Sequence, residues 1–132
     1  GSSGTVSNEI TIGNSSITKF RVPGINLTQG GGTTTLSANT NTLIDTITGG
    51  VTSAEYLISL KQGSKVRTSK VIINYDGVNA VDMSEFGITE TGGKMSGVVV
   101  SATMGMAFPE LYLTVTDAAT TNVTVKFNKS VI

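Results

Sequence analysis

The sequence predicts an all-β fold, an antiparallel β-sandwich or jelly roll of about seven to eight strands preceded by a short β-stalk segment. Three observations carry this. The composition is rich in Thr, Ser, Gly, Asn and Val and poor in the Ala, Leu, Glu and Lys runs that build helices. Apolar and polar residues alternate with a period of two along several segments. Glycine-marked turns separate those segments at spacings of roughly 8 to 12 residues. At 132 residues and 13.6 kDa the chain fits one compact domain with a short appendage, and it can bury a core without disulfides or metals.

Taken in order, Gly1-Ser2-Ser3-Gly4 reads as a cloning scar. Residues 5–29 read as a β-stalk or oligomerisation segment. Residues 30–35, Gly30-Gly31-Gly32-Thr33-Thr34-Thr35, read as a glycine-rich hinge, because glycine leaves the backbone without side-chain anchors. Residues 36–132 form the sandwich domain. Its first strand, over 42–48, alternates poorly because Asp45 sits between Leu43 and Ile47, which suits a sheet edge. Tyr56, Ile58 and Leu60 then share one strand face. In 65–75, Lys65 and Arg67 have the parity of Val71, Ile73 and Tyr75, so a bulge near Ser69-Lys70 is expected to reconcile them. Asp76-Gly77 predicts a two-residue hairpin turn pairing 71–75 with 80–83. Gly49-Gly50 and Gly92-Gly93 mark further turns. Val98, Val100 and Ala102 form another inward set, and Phe108-Pro109 sits at a strand end where no backbone donor is needed. Leu111, Leu113 and Val115, then Val123, Val125 and Phe127, complete the pattern.

The segment before the glycines cannot bury its own apolar residues. Ile10, Ile12, Ile17, Phe20, Val22, Ile25 and Leu27 need a partner surface, and they are the candidate oligomer interface. Association with neighbouring copies would cover them. Folding back to cover an edge of the sandwich would do so equally.

The run Glu9-Ile10-Thr11-Ile12-Gly13-Asn14-Ser15-Ser16-Ile17-Thr18-Lys19-Phe20-Arg21-Val22-Pro23-Gly24 resembles the "IGNSS-x-TK" segments of the β-structured stalks of phage tail fibres. The downstream runs Thr42-Leu43-Ile44-Asp45, Ala54-Glu55-Tyr56-Leu57-Ile58 and Val123-Thr124-Val125-Lys126-Phe127 are similar to a β-domain of virion structural proteins of marine phages, notably those infecting cyanobacteria. The two resemblances cover most of the chain. They imply a virion location, a homotrimer, other virion proteins as partners and a part in host attachment. They carry no catalytic or receptor-binding residue. The histidine-rich look of metal-holding fibre tips is missing here.

The residues themselves narrow the chemistry. The chain has no His, no Cys and no Trp, so the side chains most readily tuned to act near neutral pH are unavailable to it. Asp82, Glu85 and Glu90 are the clustered carboxylates. A glycosidase pair needs two held roughly 5 to 10 Å apart, but these flank a hairpin, where charges usually solvate a loop. No Asp-x-Asp-x-Asp-Gly calcium loop occurs. Lys61, Lys65, Arg67 and Lys70 form a basic cluster read as a solvated hairpin face, and without interleaved aromatics it does not point to nucleic acid. Nine basic and nine acidic residues cancel, so a partner is held by shape rather than by a global field. No apolar run approaches the roughly 18 residues of a membrane span. Matches to the glycosylation acceptor pattern, such as Asn122-Val123-Thr124, are expected by chance in so Asn- and Thr-rich a chain. The expectation is therefore a non-enzymatic phage structural protein, part of a tail fibre or related appendage, with no catalytic residue, cofactor or metal. The alternatives are a capsid decoration protein, or a monomeric carbohydrate-binding module that contacts a host-surface glycan through Tyr112, Phe108 and Met106.

Overall fold

The computed structural model describes residues 13–25 and 27–132. Residues 1–4, read from the sequence as a cloning scar, and Ile10 and Ile12 lie outside them. The strands are β1 (Lys19–Val22), β2 (Leu27–Leu36), β3 (Thr42–Thr46), β4 (Ser53–Gln62), β5 (Lys65–Tyr75), β6 (Val81–Thr91), β7 (Val99–Met104), β8 (Pro109–Thr114) and β9 (Val123–Val131). Short 3-10 turns occupy Pro23–Ile25 and Thr116–Ala119. Among the described residues no helix is long and apolar enough to cross a membrane.

The strands form two antiparallel sheets, six strands in the order β1-β2-β9-β4-β5-β6 and three in the order β3-β8-β7. The chain crosses to the small sheet after β2, returns for the β4-β5-β6 meander, crosses again for the β7-β8 hairpin, and comes back to insert β9 between β2 and β4. The all-β sandwich read from the sequence is the fold observed, and β3 lies at the edge of its sheet as expected.

The period-two pattern sets the core. Tyr56, Ile58 and Leu60 of β4, Val71 and Ile73 of β5, and Val123, Val125 and Phe127 of β9 face Ile47, Leu111, Leu113 and Val115 across the sandwich. Each such side chain stabilises the fold by about 1.5–3 kcal/mol relative to exposure. The core occupies the middle of the large sheet, because three strands cannot cover six. The inner face of the large sheet therefore overhangs at both ends. One inner row runs Lys19, Gly30, Lys129, Tyr56, Val71, Glu85; the next runs Arg21, Thr28, Val131, Ala54, Ile73, Met83. The middle of each row is apolar, and charge collects toward the flanks.

Three local expectations are corrected. The residues read as a hinge, Gly30 to Thr35, lie inside β2, each in register with β9. The glycines serve close approach and not looseness: a Cβ on Gly32 would stand 2.9 Å from the Phe127 ring, and one on Gly31 2.6 Å from the Phe127 carbonyl oxygen. The β5-β6 pairing is as predicted, but its connection is a loop over residues 76–80 rather than a two-residue turn. There the Asp76 carboxylate accepts from the backbone N–H groups of Val78, Asn79 and Ala80 at 2.8–2.9 Å. These bonds, that from Ala80 foremost, hold its carboxyl below the usual range. Finally, the register shift opposite Ser69 adds its extra residue to β6 and not to β5, since Thr68 pairs with Thr89 while Lys70 pairs with Phe86. Gly87, at φ 66°, supplies the backbone conformation this bulge needs.

Candidate functional site

Within the described part of the N-terminal segment, β1 folds back as a sheet edge. β1 pairs with β2 from Lys19↔Gly30 to Val22↔Leu27, and β2 continues the sheet through β9. Side chains of β1 alternate, so Phe20 points to the outer face while Lys19 and Arg21 share the inner one. Of the predicted interface set, Ile17 is 55% and Phe20 51% exposed, Val22 is half-buried, and Ile25 and Leu27 lie in the 3-10 turn and at the start of β2. The outer edge of β1 pairs with no described strand.

The outer face of the large sheet is more apolar than a solvated face requires. Phe20, Gln29, Ser130, Glu55, Ile72 and Ser84 form one row; Gly31, Asn128, Leu57, Lys70 and Phe86 form the next. Leu57, Ile72 and Phe86 all stand exposed near the β6 end of this face. A Lys70–Glu55 ion pair at 3.2 Å spans adjacent strands among them. Such exposed pairs are worth ~0–1 kcal/mol and do not cover the patch.

The residues proposed from sequence for ligand contact lie on the other sheet. Met106 is fully exposed at the tip of the β7-β8 loop, which closes with a Gly105 N–H to Phe108 carbonyl bond of 2.9 Å. Phe108 is partly exposed beside Pro109, which starts β8 and is itself buried. Tyr112 lies on the outward face of β8 between Leu43 and Ser101. It is half-buried and donates to Glu110 at 3.2 Å. Loss of solvent, with the Glu110 carboxylate second, raises its hydroxyl pKa.

Two polar clusters inside the sandwich escaped the sequence reading. Arg67, expected on a solvated face with Lys61, Lys65 and Lys70, is 5% exposed. Its guanidinium meets Glu85 at 3.0 Å and Glu90 at 3.7 Å, and the Ser69 hydroxyl donates to Glu85 at 2.7 Å. Glu85 and Glu90 are five residues apart, a spacing that puts side chains on opposite faces of a regular strand. The Gly87 bulge restores them to one face, opposite Val71 and Arg67. The carboxylates weighed as an acid-base pair are thus drawn onto an arginine, while Asp82 stays exposed and accepts from the Met83 N–H. Across the sandwich Asp45 accepts from the Tyr56 hydroxyl and the Lys129 ammonium, both at 2.7 Å. A bulge between Leu43 and Asp45 turns Asp45 toward the large sheet. Burial, reinforced by Asp45, pushes the Tyr56 hydroxyl pKa far up. Parity was the signal for both clusters: Arg67 keeps step with Val71 and Ile73, and Lys129 with Val125 and Phe127.

A third polar cluster ties the start of β5 to the 3-10 turn after β8. Asp117 accepts from the Ser96 N–H at 2.9 Å and from Lys65 at 3.3 Å, which hold its carboxyl low, while Gln62 donates to the carbonyls of Asp117 and Thr121. Among the described residues no group of three His, Cys, Asp or Glu side chains is placed to hold a metal ion.

No protein-family model matches the chain. No curated protein matches it either. Among solved structures, tailspike protein gp49 from Acinetobacter baumannii bacteriophage Fri1, a capsular polysaccharide depolymerase, aligns over 85% of this chain and 19% of its own, with TM-score 0.51 and 12% identity. The tailspike protein of Acinetobacter baumannii phage AM24 aligns over 80% of this chain and 26% of its own, with TM-score 0.49 and 10% identity. The chain thus spans about a fifth to a quarter of the solved chains it matches. At such identity the likeness concerns the fold.

Proposed function

We propose that the chain is a non-enzymatic structural part of a phage tail appendage that self-associates, as a homotrimer, through its β1 edge and the adjoining outer sheet face. The observation that carries this reading is the pairing of an open edge strand with exposed Ile17 and Phe20 beside it. An open edge offers unpaired backbone donors and acceptors to another chain, and the neighbouring apolar side chains gain by burial. Two further features support it: the fold is shared with a phage tailspike, and the stalk-like run Ile12 to Lys19 leads directly into β1. The depolymerase activity belongs to the larger solved tailspike. Here Glu85 and Glu90 are already engaged by Arg67, which suits a structural role for them.

Solution mass by light scattering coupled to size exclusion tests the reading. The full chain is expected near three times its own mass. A chain lacking residues 5–22 should run as a folded single chain, since the exposed Ile17 and Phe20 that would be buried on association are removed with β1. The same oligomer in the shortened chain, or a single-chain mass for the full one, would remove the support for association through β1.

A further inference from the structure

We propose that the inner overhang of the large sheet, beside β1, is an anion-binding cleft that takes an oxyanion, carboxylate or sulfate, carried on a polar molecule larger than the ion itself. The floor is laid out by strand register. Lys19, Gly30 and Lys129 lie in one row across β1, β2 and β9, and Arg21, Thr28 and Val131 in the next. Lys19 and Arg21 alternate with Phe20 and so share a face, with Cα atoms about 6.5 Å apart along the strand. Lys129 stands two strands away, about 10 Å across the sheet. The opposite wall is the β3-β4 connection, where Thr48, Gly49 and Gly50 turn past the overhang. The cleft, open to solvent on one side, has a volume of about 420 Å³, larger than an inorganic ion needs and within the ~300–1,000 Å³ range of small-molecule sites.

Charge gives the cleft its sign. Among the described residues, every ionisable side chain lining it is basic. Lys129 is partly satisfied by Asp45, but Lys19 and Arg21 form no ion pair with any described residue. Like charges on neighbouring positions of one sheet face repel, and an anion between them would relieve that repulsion while Thr28 and Thr48 hydroxyls and the Gly49-Gly50 backbone supply neutral polar partners. Arginine's planar fork suits two oxygens of one acid group. Between Lys19 and Lys129 in their row, Gly30 lets β1 approach closely: a Cβ there would lie 3.0 Å from the Thr18 carbonyl oxygen and 3.6 Å from the Lys129 side chain. Inward charge on an edge strand also discourages sheet-to-sheet pairing. That role needs no ligand, and so it predicts a different experimental result.

The test is an amide-resonance titration of the full chain at constant ionic strength with three compounds: a galacturonic acid trisaccharide, the neutral maltotriose, and sodium sulfate. The uronate is expected to shift residues 19, 21, 28, 48–50 and 129 saturably, and maltotriose to leave them in place. The Lys19→Gln/Arg21→Gln double variant should weaken uronate binding by roughly tenfold or more, whereas Lys126→Gln, on the outer face of β9, should not change it. Both replaced side chains are exposed, and an unchanged melting temperature would confirm the fold. Sulfate binding as tightly as the uronate at these residues would assign the site to free inorganic anions; tighter uronate binding would assign it to an acid group on a glycan. No localised shift with either anion, or shifts that persist in the double variant, would overturn the proposal. Aggregation of the double variant with no anion response in the parent chain would overturn it in favour of edge protection.

Discussion

Glu85 decides whether the buried Arg67 is tolerated. The guanidinium is almost wholly removed from water, and Glu85 is its nearer partner at 3.0 Å. Replacing Glu85 with Leu leaves a buried charge with only the longer contact to Glu90. Breaking such a pair costs about 3–5 kcal/mol, and urea denaturation should show a loss of about 3 kcal/mol; no change would mean that Arg67 reaches water. Tyr56 makes a prediction in pH. Its hydroxyl is held protonated in the fold by burial and by its bond to Asp45, whereas an unfolded tyrosine ionises near pH ~10. The folded state binds this proton more tightly, so the stabilisation is complete below about pH 10 and falls as pH rises above it. Tyr56→Phe should remove that alkaline decline in melting temperature while lowering stability at pH 7 by about 1.5 kcal/mol, the worth of a hydrogen bond to a charged acceptor. A decline of equal slope in the variant would assign it to other groups.

At the level of elements, the glycine run separates what sequence can and cannot reveal. A hinge at Gly30 to Gly32 and a strand through them make opposite predictions for Gly31→Ala. A hinge gains slightly from the lost chain freedom. In β2 the added methyl meets the Phe127 carbonyl oxygen at 2.6 Å, backbone that must shift, and overpacking of this kind costs about 1–3 kcal/mol. Thermal unfolding should therefore show destabilisation, and a neutral or raised melting temperature would favour the joint. Composition suggested flexibility because glycine's effect depends on the neighbouring strand, which lies about a hundred residues away in the chain and is invisible to local reading. Period-two runs such as Tyr56, Ile58, Leu60 and Val123, Val125, Phe127 were legible because alternation is itself the local signature of a half-buried strand. Buried charge was harder. Arg67 and Lys129 kept the inward parity, but an inward charge is credible only once its partners are known, and those come from β6 and β3. The bulges at Gly87 and between Leu43 and Asp45 decide which carboxylates arrive, and a one-residue shift of register leaves little trace in sequence.

For the whole molecule, the proposed self-association can use either flank of the large sheet. The large sheet ends in β1 on one side and β6 on the other, and exposed apolar residues occur near both: Ile17 and Phe20 at one, Phe86 and Ile88 at the other. If assembly proceeds through β1, Phe20 is buried on association, and a lysine there adds a charge that must be desolvated beside an edge. Lysine on an edge is also a common device against strand pairing. Phe20→Lys should then bring the solution mass down to that of one chain at concentrations where the parent is assembled, with its fold intact by circular dichroism. Phe86→Lys, at the opposite flank of the same outer face, should leave the mass unchanged. Melting temperature adds an independent readout, because an assembled chain is stabilised by mass action and melts higher as its concentration rises. That concentration dependence should vanish in Phe20→Lys and persist in Phe86→Lys. The reverse pattern would move the interface to the β6 flank, where Leu57, Ile72 and Phe86 would become its centre, and would leave β1 as an edge guarded by Lys19 and Arg21.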